Sequence, residues 1–211
     1  MKLGIAIPVG KKDVIYLPRI LDSLAESTVP PSQVSLSISG ISKYQLPKDY
    51  DFEIIISQVH YNLGAAANRN IAANNLDTDI ISFIDADDMA HIQRNEFIME
   101  ALQSSDVVVH DYQKSSFPDY NFTRNRYENP TILKNYLDLV VDSHIYPTST
   151  QGHLDFTCGH VSVKKSIFES FKFDETKYFT EDAYYLRNLV LQNIFPTLIT
   201  NKLSNYIKHG F

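Results

Sequence analysis

Three carboxylates crowd one short stretch of this chain, Asp85-Ala86-Asp87-Asp88, directly after the apolar run Ile80-Ile81-Ser82-Phe83-Ile84. Like charges this close repel, so such a cluster usually holds a cation or a shared proton. Hard divalent cations such as Mg²⁺ and Mn²⁺ choose carboxylate oxygens and keep their remaining positions for substrate phosphates. The bland alternative is an acidic, solvated turn. The apolar run favours the metal, because a strand ending here aims the carboxylates at the sheet edge where ligands gather. Two other readings fail on detail. An EF-hand loop needs Asp-x-Asp-x-Asp-Gly, and Met89 and Ala90 do not fit it. An aspartyl-phosphate hydrolase would carry Asp-x-Asp-x-Thr early in the chain. Here Met89 holds the Thr place and the motif is mid-chain.

A second acidic pair, Glu181-Asp182, follows Thr180. Thr180 reads as a helix cap, and acids in a first turn complement the helix dipole. That alone accounts for both residues, and the dipole would weaken a base placed there. Lys12, Arg124 and Arg126 read as solvated charges, with pairing to a diphosphate as the alternative. His60 ends a strand at the rim. Tyr112, Tyr120 and Tyr146 lie in loop-like stretches where sugar rings could stack. The lone cysteine, Cys158, excludes an intramolecular disulfide and speaks against a Cys-built metal centre.

These residues need a frame, and the first half of the chain supplies one. Residues 3–9 form a short apolar strand. Val14, Leu17, Leu21 and Leu24 then recur at helical spacing, with Pro18 tolerated only in the first turn. Val34, Leu36 and Ile38 alternate with serines, the period of a strand. Further strands are expected over 53–59, 79–84 and 106–110, and helices over 64–75 and 92–102. Strands alternating with helices predict a largely parallel sheet covered on both faces. Gly10, Ser39, His60 and Asp85 all follow strand ends, so one rim is nominated as the ligand edge. The second half is less regular. Residues 112–131 read as a long connection, 155–163 as a strand, 164–171 as a short helix, and 201–211 as a short, abrupt ending.

Composition sets outer bounds. A chain of 211 residues buries roughly 70% of its unfolded surface and needs no disulfide or metal to fold. Its net charge of −6 speaks against a general affinity for nucleic acid or anionic membrane. No apolar run is long enough to span a membrane. The basic-then-apolar start is a strand rather than a secretion signal, so a cytoplasmic location is expected.

Four blocks, in order, give the chain its resemblance to family 2 of the GT-A glycosyltransferases, the inverting group that uses nucleotide-diphosphate sugars. They are Ile5-Ala6-Ile7-Pro8-Val9; Asn62-Leu63-Gly64 with Ala67-Asn68-Arg69-Asn70; Phe83-Ile84-Asp85-Ala86-Asp87-Asp88; and Gly159…Lys165…Phe168…Phe173-Asp174-Glu175…Glu181-Asp182. The compact size also resembles the small glycosyltransferase domains encoded by large algal viruses. The resemblance implies one GT-A domain over 1–211, an α/β Rossmann-like fold around a mixed, mostly parallel sheet flanked by helices. Residues 1–110 would bind the nucleotide sugar and 111–211 the acceptor.

It also implies roles. Pro8, Val9 and Gly10 would lie against base and ribose. Arg69 and the Gly64 turn would help close the nucleotide pocket. Asp85 would face the ribose or the sugar, with Ala86 beside it, and Asp87 would bind the metal that bridges the diphosphate. Asp182 would be the general base, with Glu181 as its understudy. His209 resembles the C-terminal histidine that several GT-A enzymes use as a metal ligand; a frayed polar tail explains it equally well. The implied cofactor is Mn²⁺ or Mg²⁺, and the implied partners are a UDP-sugar donor and a glycan acceptor. Two departures stand out. The family's Asp-Asp-Gly-Ser after its second strand is replaced by Ser37-Ile38-Ser39-Gly40, leaving Ser39 or Asp13 to read the base. The Thr-Tyr-Asn after the first proline is replaced by Val9-Gly10-Lys11. The rival readings are a sugar-phosphate nucleotidyltransferase, whose glycine-rich signature Gly10-Lys11-Lys12 copies poorly, and a nucleotide-sugar-binding domain without turnover.

Overall fold

A computed structural model describes residues 1–46, 48–133, 160–177 and 181–207. Strand β1 (Leu3–Val9) leads through a 3-10 turn (Asp13–Tyr16) into α1 (Leu17–Ala25). Then come β2 (Gln33–Ser39), β3 (Glu53–Val59), α2 (Ala65–Asn74), β4 (Ile80–Phe83), β5 (Met89–Ala90) and α3 (Arg94–Ala101). The second half holds β6 (Val107–Ser115), α4 (Tyr120–Arg124), β7 (Ile132–Leu133), β8 (Val161–Lys164), α5 (Lys165–Ser170), α6 (Glu181–Leu191) and β9 (Thr197–Ile207).

All described strands join one sheet of order β3-β2-β1-β4-β8-β6-β9-β5, with β7 added on β9. The run β3-β2-β1-β4 is parallel throughout. Beyond β4 the sheet turns mixed: β8 runs against β4 and β6, β6 and β9 are parallel, and β5 and β7 run against β9. Parallel strands buried on both faces read as continuous apolar runs, and β1 is buried along almost its whole length. Its odd-numbered residues, Leu3, Ile5, Ile7 and Val9, pack with Leu17, Ile20, Leu21 and Leu24 of α1 and Phe97 and Ile98 of α3. The opposite face carries Ala6, Ile81, Phe83, Val107 and Val109 against Ala66, Ala72 and Ala73 of α2, Phe168 of α5 and Tyr185 and Leu186 of α6. Pro18 sits in the first turn of α1, where its missing N–H leaves no intrahelical bond unmade.

The serines of β2 are buried as well. Ser37 donates to Asn68 Oδ1 at 2.9 Å, and Asn68 Nδ2 donates to Ser39 Oγ at 2.9 Å. Asn75 Nδ2 donates to Ser57 Oγ at 2.9 Å. A polar seam thus fixes α2 across β2 and β3, while the alanines of α2 let it approach the sheet closely.

The second half departs from the sequence expectation. The stretch 112–131 is not a plain connection: β6 continues to Ser115, and Asp119 caps α4 by accepting from the N–H groups of Asn121 and Phe122. The ending is not short either, because β9 runs for 11 residues inside the sheet. Its buried Ser204 and Asn205 interrupt any apolar alternation, and a register shift beside His110 and Asp111 further disguises the pairing. The strand expected over 155–163 is described only from Val161. Tyr146, Cys158, Gly159, Thr180 and His209 lie outside the described residues. Among the described residues no helix is long and apolar enough to cross a membrane.

Candidate functional site

The acidic motif splits into an outward and an inward part. The carbonyl of Phe83, the last residue of β4, accepts from Arg94 Nη2 at 2.7 Å. The chain then turns, and the Asp88 N–H donates to the Asp85 carbonyl at 3.2 Å. Asp85 and Asp87 remain half-buried, whereas Asp88 is fully buried. Asp88 Oδ1 accepts from the Ile207 N–H at 3.3 Å, and among the described residues Oδ2 has no hydrogen-bond partner. Burial, reinforced by Asp85 and Asp87, pushes the Asp88 carboxyl well above the usual carboxylate range.

Three arginines brace this turn from three elements. Arg19 of α1 donates from Nη2 to the Asp87 carbonyl and stacks 4.9 Å from the Tyr16 ring centroid. Arg94 of α3 is fully buried and donates from Nε to His110 Nε2 at 3.1 Å. Because a guanidinium only donates, that ring nitrogen is the acceptor, and the His110 proton sits on Nδ1, 2.9 Å from the Asp111 carbonyl. Burial, with Arg94 and His160 next, holds His110 well below its ordinary pKa, so the ring is neutral. Burial and then Arg94 take His160 down to about 3. Burial lowers Arg94 to about 9, with Asp88 opposing the shift. Arg69 of α2 completes the set: Nη2 lies 2.8 Å from Asp85 Oδ1, Nη1 pairs with Glu181 Oε1, and the guanidinium stands 6.0 Å from the Phe173 ring centroid.

Arg69 therefore brings the start of α6 to the end of β4. Glu181 is buried and committed to this ion pair, so it is a poor understudy for a base. Asp182 is half-buried and accepts from the Ala183 N–H at 2.8 Å. Its pKa is raised, chiefly by burial, with Glu181 and Asp85 adding and the Ala183 N–H and Arg69 opposing. Asn70, next to Arg69, ties the same region down. Its Nδ2 donates to the Phe173 carbonyl at 3.0 Å and to Glu175 Oε1 at 2.9 Å, and its Oδ1 accepts from the Phe173 N–H at 3.0 Å.

The remaining rim residues are placed unevenly. Pro8 and Gly10 are half-buried at the end of β1. Val9 is fully buried among the core side chains, so only its backbone can meet a ligand. A Cβ on Gly10 would lie 2.8 Å from Asp13 Oδ2, and the Asp13 N–H donates to the Gly10 carbonyl at 2.9 Å. Ser39 is buried with its hydroxyl accepting from Asn68, which argues against a base-reading role for it. Gly40 has φ +81°, and a Cβ there would lie 2.2 Å from Asn62 Oδ1, so glycine is required twice over. Gly64 precedes α2, and a Cβ there would meet open space, while Ala86 packs into the core. Arg19, Arg94 and Tyr206, which borders the acidic turn, escaped the sequence reading, since none stands in a recognisable spacing.

The profile described as glycosyl transferase family 2 matches residues 15–171. The chain belongs to this family. Its fold also matches TarS from S. aureus. Against a TarS 1–349 crystal structure the TM-score is 0.68 at 13% identity, covering 98% of this chain and 60% of that one. Against the same fragment in complex with UDP-GlcNAc it is 0.66 at 14% identity, covering 100% and 60%. Against the complex with UDP it is 0.63 at 15% identity, covering 99% and 61%. This chain thus spans about 60% of the TarS fragment. No curated protein sequence matches it significantly. The likeness shows the GT-A fold, a mixed sheet flanked by helices.

Family 2 membership sharpens the question of a metal. Among the described residues no group of three His, Cys, Asp or Glu side chains is arranged to hold one. A cation shared with substrate phosphates needs only one or two carboxylates from the protein. Asp85 and Asp87, half-exposed at the rim, meet that need; the inward Asp88 does not.

Proposed function

We propose that the protein is a metal-dependent, inverting glycosyltransferase that moves a sugar from a UDP-sugar to a hydroxyl of a glycan. Family membership supports the reaction class, and TarS, solved with UDP-GlcNAc and with UDP, supports the donor class. The observation that carries the reading is the Arg69 bridge. It joins Asp85, on the acidic turn, to Glu181, whose neighbour Asp182 is the candidate base. Donor-side carboxylates and base thus share one neighbourhood.

Asp87, with Asp85 beside it, would hold Mn²⁺ or Mg²⁺. Bound there, the cation would supply positive charge to the departing diphosphate. Asp182 would accept the acceptor hydroxyl's proton as its oxygen attacks the anomeric carbon opposite the nucleotide. One displacement inverts that centre. Arg69 would hold Asp85 in place and keep Glu181 from competing for the proton. Residues 1–110 would serve the donor and 111–211 the acceptor.

Calorimetry with UDP, with and without Mn²⁺, tests this. The wild type is expected to bind UDP only with Mn²⁺, and Asp87→Ala is expected to lose that binding while staying folded. UDP binding that ignores Mn²⁺, or an Asp87→Ala protein that binds like the wild type, would reject the metal assignment.

A further inference from the structure

Tyr206 stands across the acidic turn. Strand β5 pairs with β9 through Met89↔Asn205 and Ala90↔Ser204, so the next step of the register sets Asp88 opposite Tyr206. The Ile207 N–H, one residue on, donates to Asp88 Oδ1. The Tyr206 ring is fixed by other rings. It meets Tyr112 edge-on at 5.7 Å, and Tyr112 lies flat on His160 at 4.2 Å and 3°. His160 in turn meets His110, which Arg94 holds.

Among the described residues nothing engages the hydroxyl at the end of this stack. Tyr206 is half-buried. Burial, followed by Asp88, Asp87 and Asp85, raises its pKa, with Lys114 opposing, so the group stays an O–H donor. Lys114 is the register partner of Tyr206 on β6, an exposed side chain with its ammonium 5.5 Å from the Tyr112 ring centroid. One side of this place therefore offers carboxylates and the other an O–H donor. A lone metal satisfies only the first side, and a lone anion only the second. A diphosphate with its metal satisfies both, since its free oxygens point away from the cation.

We propose that Tyr206 binds the diphosphate of the donor, its phenol donating a hydrogen bond to a phosphate oxygen. The inference rests on the glycosyltransferase reading. It adds a contact from the C-terminal strand to a donor site otherwise built from the first half of the chain. The ring stack holds the Tyr206 phenol in place before the nucleotide sugar arrives, so little side-chain freedom is lost on binding.

The test is Tyr206→Phe, which keeps the ring stack and removes the O–H. Hydrogen bonds to charged groups are the stronger kind, so the Kd for UDP in the presence of Mn²⁺ should rise roughly 10- to 100-fold. The melting temperature of the ligand-free protein should not move. A variant that binds UDP as tightly as the wild type overturns the proposal. So does a loss of affinity matched by a loss of folded protein in circular dichroism, which would make the hydroxyl structural. If the wild type itself binds no UDP, it is the functional reading that fails. Equal binding by wild type and variant fails this inference alone.

Discussion

Asp182 must be ionised to take a proton, and its surroundings resist that. Burial raises its pKa above the ordinary carboxylate value, so the protonated form persists to higher pH in the folded protein. The acid limb of kcat against pH should therefore lie above the pH at which a solvent-exposed aspartate titrates. Asp182→Asn should lower transfer at least ~100-fold, the usual scale for a lost general base, while UDP binding with Mn²⁺ stays intact. The same shift has a stability consequence. The unfolded chain loses this proton first as pH rises, so above the folded-state pKa the ionised Asp182 opposes folding. Asp182→Asn should thus be more stable than the wild type at neutral pH, with the gain vanishing below about pH 4, the unfolded carboxylate range. A variant that transfers normally would remove Asp182 from the mechanism. In the sequence this residue was visible only through family likeness, because two acids in a first turn are accounted for by the dipole. Asp88 shows the converse limit: its acidity was plain, but nothing local said that it points inward.

At the level of elements, α1 and α3 both reach the acidic turn through an arginine, and α3 does so from full burial. Arg94 holds the Phe83 carbonyl and His110 and lies near the inward Asp88. Removing the guanidinium leaves the Phe83 carbonyl and His110 Nε2 buried without their donor and takes a positive charge from beside Asp88, whereas removing both charges relieves part of that penalty. Arg94→Met should therefore cost about 3–5 kcal/mol in urea unfolding. Asp88→Asn alone should be milder, and the double variant Asp88→Asn/Arg94→Met should be more stable than Arg94→Met. Additivity within about 0.5 kcal/mol would mean that the two residues do not balance each other. Helix α1 was readable down to the position of Pro18, since its apolar spacing is local. Strand β9 was not, because buried Ser204 and Asn205 look like surface residues until β5 and β6 close over them. Arg19 and Arg94 were hidden for the same reason, as the backbone carbonyls and the imidazole they hold lie in other elements.

Across the whole molecule, the parallel run β3-β2-β1-β4 was legible because its strands are short apolar or alternating runs, and β1 and β3 each lead on to a helix. The mixed half was not, since β8 and β9 return from long distances to pair with strands already placed. The two parts meet along β4 and β8, where Ser82 and Ser162 share a buried hydrogen bond of 2.7 Å. They meet again above the sheet, where α2 reaches across with Arg69 to Glu181 and Asn70 to Phe173. Arg69 is the more consequential tie, because it pairs with two carboxylates delivered by opposite parts of the chain. Replacing it with methionine keeps the apolar stem over Phe173 but leaves Asp85 and Glu181 facing each other without their cation. Arg69→Met should destabilise the fold by roughly 3 kcal/mol or more. Arg69→Met/Glu181→Gln should recover a large part of that loss, because the remaining Asp85 still reaches solvent. Urea unfolding of the wild type, both single variants and the double variant measures the coupling. A double variant no more stable than Arg69→Met would show that the bridge contributes packing alone, and that the N-terminus of α6 is held beside the acidic turn by something other than charge.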